Sequence, residues 1–577
     1  MTRDPLSTTK IRTGGQLVVE TLHALGVVVV FGVPGGQTLS ITDAILDQPE
    51  IRFVTARHEG AAACMADAVG RMTRRPGVCL ATTGPGATNL LTGVGGAFRD
   101  SSPVIVITCN NRLSDLDRDD AQAADHVAIF RPLVKWAKLV SHPSTIVQVL
   151  QEAYLRATTG CPGPVLVDFA RDVIESSLDP RLFDDVPMIK AVAAATRERS
   201  PGDPVRIRTA AEMLRNAERP VLWLGNGTKL SDAGEAAVVL AERLDMPIIT
   251  TFNGIGAVPT IHPLVYGPLS RMGTELSTRV LTDADVLLAV GNSFNAISTS
   301  RWSLELPETI IQVDVDAATV GRYYAGRTLG VLGDARAVMI ALSDVLEADR
   351  GPVDVSDRRR ARLSALAEAR TEWWGRAAGQ VKSRPGTVSP HAVVRIVRDA
   401  VPDDTVAIFD AGNPGVWSYV WEIRQAGTYL KPVGFGNMGF AVPAAVGVSV
   451  VAPDTPIVAF VGDGSLGMSL GELETLAREE CHACVVVMND GGYGNIRQEQ
   501  LVHYGDRTIG VDFAEVNYAE VARAFNVPAV RVTDEAVLAD VVQDAVRRPG
   551  PFLVEVVIDP EVNAWTFPLF QQFEVAE

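Results

Sequence analysis

Short runs of Val, Ile, Leu and Ala recur along the chain, each ending in glycines or small polar residues before an amphipathic stretch. "VVVVFGVPGG" (27–36), "GVCLATTGPG" (77–86), "PVIVITCNN" (103–111), "PVLWLGNG" (220–227), "TVAIFDAGN" (405–413), "PIVAFVGDG" (456–464), "CVVVMNDGG" (484–492) and "FLVEVVID" (552–559) are examples. A strand with one wet face alternates apolar and polar residues. Continuous apolar runs mean that both sheet faces are covered, as in parallel α/β sheets. The pattern therefore predicts α/β domains with doubly wound parallel sheets, and ligand sites beyond the carboxyl ends of the strands.

Two interruptions divide this pattern. "AAATRERSPGDP" (193–204) is polar with Pro and Gly, and 349–387 is charge-rich, helical in pattern and closes near "SRPGTVSP". The expected domains are 1–190, 203–348 and 388–577, with 349–387 as a linker. The first and third share strand, Gly-rich turn and Ala-rich helix, which predicts two related sheets. A length of 577 residues suits three such domains.

Composition narrows the function classes. A formal charge of −17 lacks the basic face that nucleic acid requires. An anionic ligand must then be held by backbone amides, helix ends or a metal. Six scattered cysteines without a framework spacing, a start with no apolar core and no apolar run near ~18 residues predict a cytoplasmic protein outside the membrane.

The densest candidate chemistry lies at 456–492. Asp463 ends an apolar run between Gly462 and Gly464, which allow a tight turn and close ligand approach. Ser465 is expected to cap one helix over "LGMSLGELETLARE" (466–479), whose N-terminus would seat a phosphate. The next run ends at Asn489-Asp490, followed by Gly491 and Gly492. "GDG" and "NDGG" are each ordinary turn sequences. Placed on consecutive strands, Asp463, Asp490 and a carbonyl of the glycine turn offer the oxygen ligands that Mg²⁺ takes alongside substrate phosphates.

This pattern resembles the thiamine diphosphate (ThDP) binding motif, and the likeness to acetolactate synthase-like, pyruvate oxidase-type enzymes extends over nearly the whole chain. It implies pyrimidine-binding, central Rossmann-like and diphosphate-binding domains, with ThDP and Mg²⁺ as cofactors. The family's second Asn is Asp490 here, which predicts stronger metal dependence. Asp463, Asp490 and Gly492 are the implied metal ligands. Gly464, Ser465, Tyr493, Gly494, Asn495 and Ile496 are implied around the diphosphate. "GFGNMGFAVPAAVG" (434–447) resembles the segment that bends the cofactor, with Met438 as wedge and the Gly436 carbonyl on the aminopyrimidine. Gly412 and Asn413 would hang over the same ring. Glu59 of "RHE" matches the glutamate that hydrogen-bonds the pyrimidine N1′ and promotes loss of the thiazolium C2 proton. That role asks for a desolvated carboxyl. In relatives the glutamate and the diphosphate site come from different subunits, so a homodimer or homotetramer with active sites at the subunit interface is implied.

The resemblance also implies a substrate class, a 2-oxo acid or a 2-hydroxyacyl compound. Segments 84–108 and 120–136 look like acetolactate synthases, and Gln122 matches an active-site glutamine. The family's "FQE" is Ala121-Gln122-Ala123 here, "RQWQ" is "RQEQ" with Glu499 in place of Trp, and "RFDDR" is "SFNAI" (293–297). Glu499 suits a proton donor or acceptor, the chemistry of 2-hydroxyacyl-CoA lyases. A simple 2-oxo acid decarboxylase and a non-catalytic cofactor-binding paralogue also stay open. "WLGNGTKLSDA" (223–233) leaves FAD, ADP, the nucleotide end of CoA or an empty structural domain open for the central domain. Cys481 and Cys484 have a CxxC spacing with no second pair. The tail "AWTFPLFQQFEVAE" (564–577) would be a lid or a docking strap.

Overall fold

The computed structural model describes residues 12–189, 199–269, 273–348, 357–377, 379 and 381–567. Residues 568–577, the larger part of the expected lid or strap, lie outside these. The chain forms two compact units, Met1–Glu198 with Val446–Val451, and Arg199–Ala445 with Ala452–Glu577.

The first unit contains one sheet of β1 (Val29–Gly32), β2 (Arg52–Thr55), β3 (Gly77–Ala81), β4 (Val104–Asn110), β5 (Trp136–Val140) and β6 (Pro164–Ala170), in the order β2-β1-β3-β4-β6-β5. All pairings are parallel. β3, β4 and β6 are buried along their whole length, as their unbroken apolar sequences require. Helix Glu59–Thr73, capped by the His58 side chain, covers the sheet with a face of small residues from Ala61 to Gly70.

The second unit contains two further parallel sheets. One consists of β7 (Pro220–Leu224), β8 (Ile248–Thr250), β9 (Val265–Pro268), β10 (Val286–Val290), β11 (Thr309–Asp314) and β12 (Thr328–Leu332), in the order β12-β11-β10-β7-β8-β9. The other consists of β13 (Val406–Phe409), β14 (Tyr429–Leu430), β15 (Ile457–Gly462), β16 (Ala483–Asn489), β17 (Ala529–Val532) and β18 (Phe552–Val557), in the order β14-β13-β15-β16-β18-β17. Counted from its own first strand, this last sheet repeats the order of the first unit's sheet. The shared strand–glycine–helix pattern therefore does correspond to two related sheets.

The charged segment after β12 forms a helix, Asp357–Ala377. Arg359, only 3% exposed, donates to the carbonyls of Leu214 (2.9 Å) and Leu244 (3.0 Å), carbonyls that no helical N–H reaches. Its charge lets one side chain serve several such acceptors, so the helix docks on the second unit. No helix among the described residues is long and apolar enough to cross a membrane.

One local expectation fails. The single helix over 466–479 is two, Asp463–Ser469 and Glu472–Arg478, separated at Leu470-Gly471. The leucine spacing continues across the break because Leu466, Leu473 and Leu476 remain fully buried. Periodicity reports the buried face and is blind to a one-step interruption of the backbone.

Candidate active site

Asp463 follows the last residue of β15 and opens helix Asp463–Ser469; Asp490 follows the last residue of β16. These strands are neighbours, paired up to Gly462↔Met488, so the two acids leave the same sheet edge side by side. The Asp463 charge acts directly on the Asp490 carboxyl, while the nearby backbone N–H groups of Gly464, Asp490 and Gly492 favour the ionised form of Asp463. Burial raises both carboxyl pKa values well above the ordinary aspartate range, and at Asp490 the neighbouring Asp463 charge adds to this.

The flanking glycines are dictated by closeness. A Cβ on Gly464 would lie 2.7 Å from the Tyr493 ring, and one on Gly494 would run into the Asp490 carboxylate. Asn413 Nδ2 reaches Asp490 Oδ2 at 3.4 Å, and the Gly412 Cβ position lies 3.9 Å from Asn495 Cβ. Loops 412–413, 463–464 and 490–495 thus converge on one spot. The turn at 491–493 is held open by pairing with 511–513, through Tyr493 N–H to Val511 O and Phe513 N–H to Gly491 O, both 2.8 Å. Since the Gly491 carbonyl is so engaged, Gly492 is the carbonyl of this turn that suits a metal.

Three oxygens at this spot, Asp463 Oδ2, Asn413 Oδ1 and Asn495 Oδ1, are buried without a hydrogen-bond partner. Buried acceptors left unpaired are costly, and two acids in contact are costlier. A hard divalent cation answers both, and the donor set fits it: carboxylate, carbonyl and amide oxygen with no nitrogen or sulfur. Among the described residues no group of three or more His, Cys, Asp or Glu is placed to hold a metal. Mg²⁺ takes few protein ligands and completes its shell with phosphate and water. The structure therefore fits ThDP with Mg²⁺.

Ser465 does not cap the helix. The cap position is Gly462, and Ser465 lies inside the first turn with its hydroxyl on Asp410. Asp410, fully buried at the end of β13, escapes a reading based on motifs. Its carboxylate accepts from the backbone N–H groups of Ala411 (2.8 Å), Gly439 (3.1 Å) and Ala441 (2.7 Å). It joins the turn after Met438 to the helix that Asp463 opens. Burial pushes its carboxyl up to about 6, against the pull of those four donors. The available signal was an acid directly after a buried strand, "AIFDAG". Met438 is half-buried, and Gly436 has a φ of +67° with open space around it, as a cofactor-facing turn requires.

Glu499 sits on helix Gly494–Tyr504, one turn beyond Asn495, and is half-buried; Ile496 is 47% exposed beside it. The neighbouring Gln498 is the side chain that fixes this helix, donating to Val562 O at 3.3 Å and accepting from Ala564 N–H at 3.3 Å.

In the first unit, Glu59 is the first residue of its helix and accepts from Asn89 Nδ2 at 2.9 Å. Its Oε1 lies 3.4 Å from where a Gly86 Cβ would be, and a Gly84 Cβ would stand 2.5 Å from the Gln122 carbonyl. The Gly84-Pro85-Gly86 turn therefore lies between Glu59 and the Gln122 loop and needs its glycines for both approaches. Glu59 is half-buried, short of the desolvation its expected role asks for, and Gln122 is exposed.

In the central sheet the "GNG" glycines bring two turns together. A Cβ on Gly227 would fall 2.6 Å from Gly291 Cα, and Gly227 N–H bonds Gly291 O at 3.1 Å, so the turns after β7 and β10 lock together. Beside them Asn292 Nδ2 is buried without a partner. Cys481 and Cys484 are buried and form no disulfide with each other, and burial holds the Cys484 thiol up at about 12, which makes it unreactive.

Comparison with known proteins matches this architecture sheet by sheet. Residues 12–129 match the N-terminal TPP binding domain of thiamine pyrophosphate enzymes, 207–342 their central domain and 410–556 their C-terminal TPP binding domain. The Escherichia coli acetolactate synthase isozyme 1 large subunit is 31% identical over 575 residues, covering 97% of this chain and 96% of its own. The chain belongs to the acetolactate synthase-like thiamine pyrophosphate enzymes. A probable acetolactate synthase large subunit of Methanocaldococcus jannaschii is 30% identical over 95% of this chain and 92% of its own. The acetolactate synthase large subunit of Parasynechococcus marenigrum is 32% identical over 96% and 88%. As a thiamine pyrophosphate enzyme, the protein has its three matched domains on the three sheets described above.

Proposed function

We propose that the protein is a ThDP- and Mg²⁺-dependent C–C lyase or carboligase acting on a 2-oxo acid or 2-hydroxyacyl substrate, with acetolactate-type carboligation as the leading activity. The observation that carries this reading is the convergence of Asp463 and Asp490 among buried, unpartnered oxygens from three loops. When bound, ThDP supplies the electron sink that cleavage beside a carbonyl requires. Asp463, Asp490 and the Gly492 carbonyl hold Mg²⁺. Gly464, Ser465 and the Tyr493–Ile496 segment surround the diphosphate, while Gly412, Asn413, Gly436 and Met438 shape the space for the rings. Glu59 holds the proton at the pyrimidine end, and Gln122 contacts the substrate. The half-buried state of Glu59 and the exposure of Gln122 support completion of the site by a second copy of the chain, in a homodimer or homotetramer. Six cysteines that form no disulfide among the described residues support a cytoplasmic setting. A nucleotide at the central sheet, FAD or ADP/CoA, belongs to the same reading.

The test is a titration of the full chain with ThDP at rising Mg²⁺, paired with acetolactate formation from pyruvate. Cofactor binding without turnover of pyruvate or a 2-hydroxyacyl-CoA identifies a non-catalytic paralogue. One observation favours a second reading: a carboxylate, Glu499, lies one helical turn, about 6 Å along the axis, from Asn495. A carboxylate there suits deprotonation of an alcohol during cleavage of a 2-hydroxyacyl-CoA. Under that reading Glu499→Gln loses about 10²-fold or more of formyl-CoA release while ThDP affinity holds. Unchanged release with full cofactor binding removes Glu499 from the chemistry.

A further inference from the structure

The first unit contains a buried polar network that the assignments above leave unused. Asp168, 1% exposed in β6, accepts from Thr108 Oγ1 (2.7 Å) and Asn110 Nδ2 (3.0 Å) in β4. His126, fully buried, places Nδ1 2.9 Å from Asp168 Oδ1 and receives the Gly84 N–H on Nε2 at 3.1 Å. The Gly84 N–H has to meet a lone pair, so Nε2 carries no proton. The ring proton is then on Nδ1, where it is donated to Asp168. Asp168 thus sets the tautomer, and the tautomer sets the contact with the Gly84 turn.

Around this dyad the loop ahead of His126 is held at each carbonyl that faces inward. Asn111 Nδ2 donates to Ala121 O (3.0 Å), Thr83 Oγ1 to Gln122 O (3.3 Å) and Asn110 Nδ2 to Ala124 O (3.3 Å). Gln122 sits at φ +60°, a left-handed conformation that costs a non-glycine residue of order 1 kcal/mol. It persists because the network overdetermines the loop. Gly84, also at φ +60°, is pressed against Gln122 from the other side.

We propose that His126, oriented by Asp168, is a positioning residue that fixes the Gln122 loop against the Gly84–Gly86 turn and so aims the Gln122 side chain at substrate. The aiming rests on the reading of Gln122 as a substrate contact; the hold on the loop does not. His126 itself has no exposed atom with which to touch substrate. Its effect passes through the loop, and a displacement of about 1 Å at a substrate-positioning group costs on the order of 10²-fold in rate.

The experiment uses the full chain loaded with ThDP and Mg²⁺, with pyruvate as probe, and compares H126A, H126Q, D168N, Q122A and the double variant Q122A/H126A. Backbone hydrogen exchange over 118–128 reads the loop directly. H126A and D168N are expected to raise exchange there, D168N because an amide NH2 facing Nδ1 moves the ring proton to Nε2, against the Gly84 N–H. H126Q, whose amide oxygen can accept that N–H, is expected to restore protection. In turnover, H126A is expected to lower kcat/KM by about 10²-fold with ThDP affinity unchanged, and to cost nothing further in the Q122A background. Additive losses in the double variant overturn the action through Gln122, and unchanged exchange in both H126A and D168N overturns the proposal outright. Raised exchange together with wild-type turnover in Q122A removes Gln122 from substrate binding and leaves the hold of His126 on the loop standing.

Discussion

Replacing Asp410 by Asn sets two terms of similar size against each other. The carboxylate only accepts, and it is met by three backbone N–H groups and the Ser465 hydroxyl. An asparagine turns one of its two oxygens into a donor, so either the Ala441 N–H or the N–H groups of Ala411 and Gly439 lose their acceptor, at about 1–3 kcal/mol. The opposing term is burial of the charge. The folded-state pKa of about 6 lies roughly 2 units above the ordinary 3.8, so the ionised form is disfavoured by about 3 kcal/mol. Neutralisation relieves that cost. At pH 8 the two terms nearly cancel, and the variant is expected within about 2 kcal/mol of wild type.

The sign of the pH dependence separates this account from simple loss of contacts. A raised folded-state pKa means that the native protein binds the Asp410 proton more tightly than the unfolded chain does. Stability from this group therefore falls as pH rises from about 4 through 6, and above that the full cost is present. Between pH 5 and pH 8 wild type should lose about 1.4 kcal/mol that Asp410→Asn does not lose. Urea denaturation of both proteins at the two pH values measures this, because the other titrating groups cancel in the difference. Since Asp410 also ties the turn after Met438 to helix Asp463–Ser469, ThDP affinity should fall about tenfold, or 1.4 kcal/mol, at pH 8. A wild-type–variant gap that is the same at both pH values, or an unaltered ThDP dissociation constant, refutes the reasoning.

Asp490→Asn removes one of two acids in contact, so the metal-free protein should gain thermal stability while half-saturation of ThDP binding shifts to higher Mg²⁺; an unchanged Mg²⁺ requirement contradicts the metal assignment. Gly464→Ala brings a methyl to 2.7 Å from the Tyr493 ring, which should cost about 1–3 kcal/mol in urea denaturation and weaken ThDP binding. Glu555→Gln should weaken Mg²⁺-dependent ThDP binding without any contact to either ligand, because Glu555 accepts from Asn489 Nδ2 at 2.8 Å, next to Asp490; calorimetric titration that matches wild type excludes this support role.

What the sequence discloses here follows from what is local. Strands such as "PVIVITCNN" and "CVVVMNDGG" announce themselves because a parallel strand between two helical layers needs apolar residues on both sides, and glycines at their ends mark the approach of other chain segments. Asp463 and Asp490 were legible because each ends such a strand. Asp410, Asp168 and His126 were not, since their partners lie 29 to 60 residues away in sequence or across a sheet, and an acid inside "PVLVDFA" reads like an ordinary interruption. Ser465 was misread for a related reason: a serine one residue past "DG" looks like a cap until a buried acid elsewhere claims its hydroxyl.

The related sheets share more than strand order. Asp168 of β6 stands opposite Thr108 of β4, and Glu555 of β18 opposite Val487 of β16. Two residues on, β4 ends at Asn110 and β16 at Asn489, each on the same sheet face as the residue opposite the acid. In both sheets the buried acid takes the Asn amide, at 3.0 and 2.8 Å, which fixes the orientation of that side chain. The amide oxygen is thereby turned toward the loop beyond, where it accepts Asn111 N–H at 2.9 Å in one sheet and Gly491 N–H at 3.1 Å in the other. One device, an acid pinning a strand-end asparagine, thus holds the Asn111 corner that anchors the Gln122 loop and the turn that follows Asp490. A buried carboxylate is costly inside a sheet and is kept only where its partners are fixed by it. Its recurrence at matched register, in two sheets with different loops, places the orientation of both corners in the strands themselves.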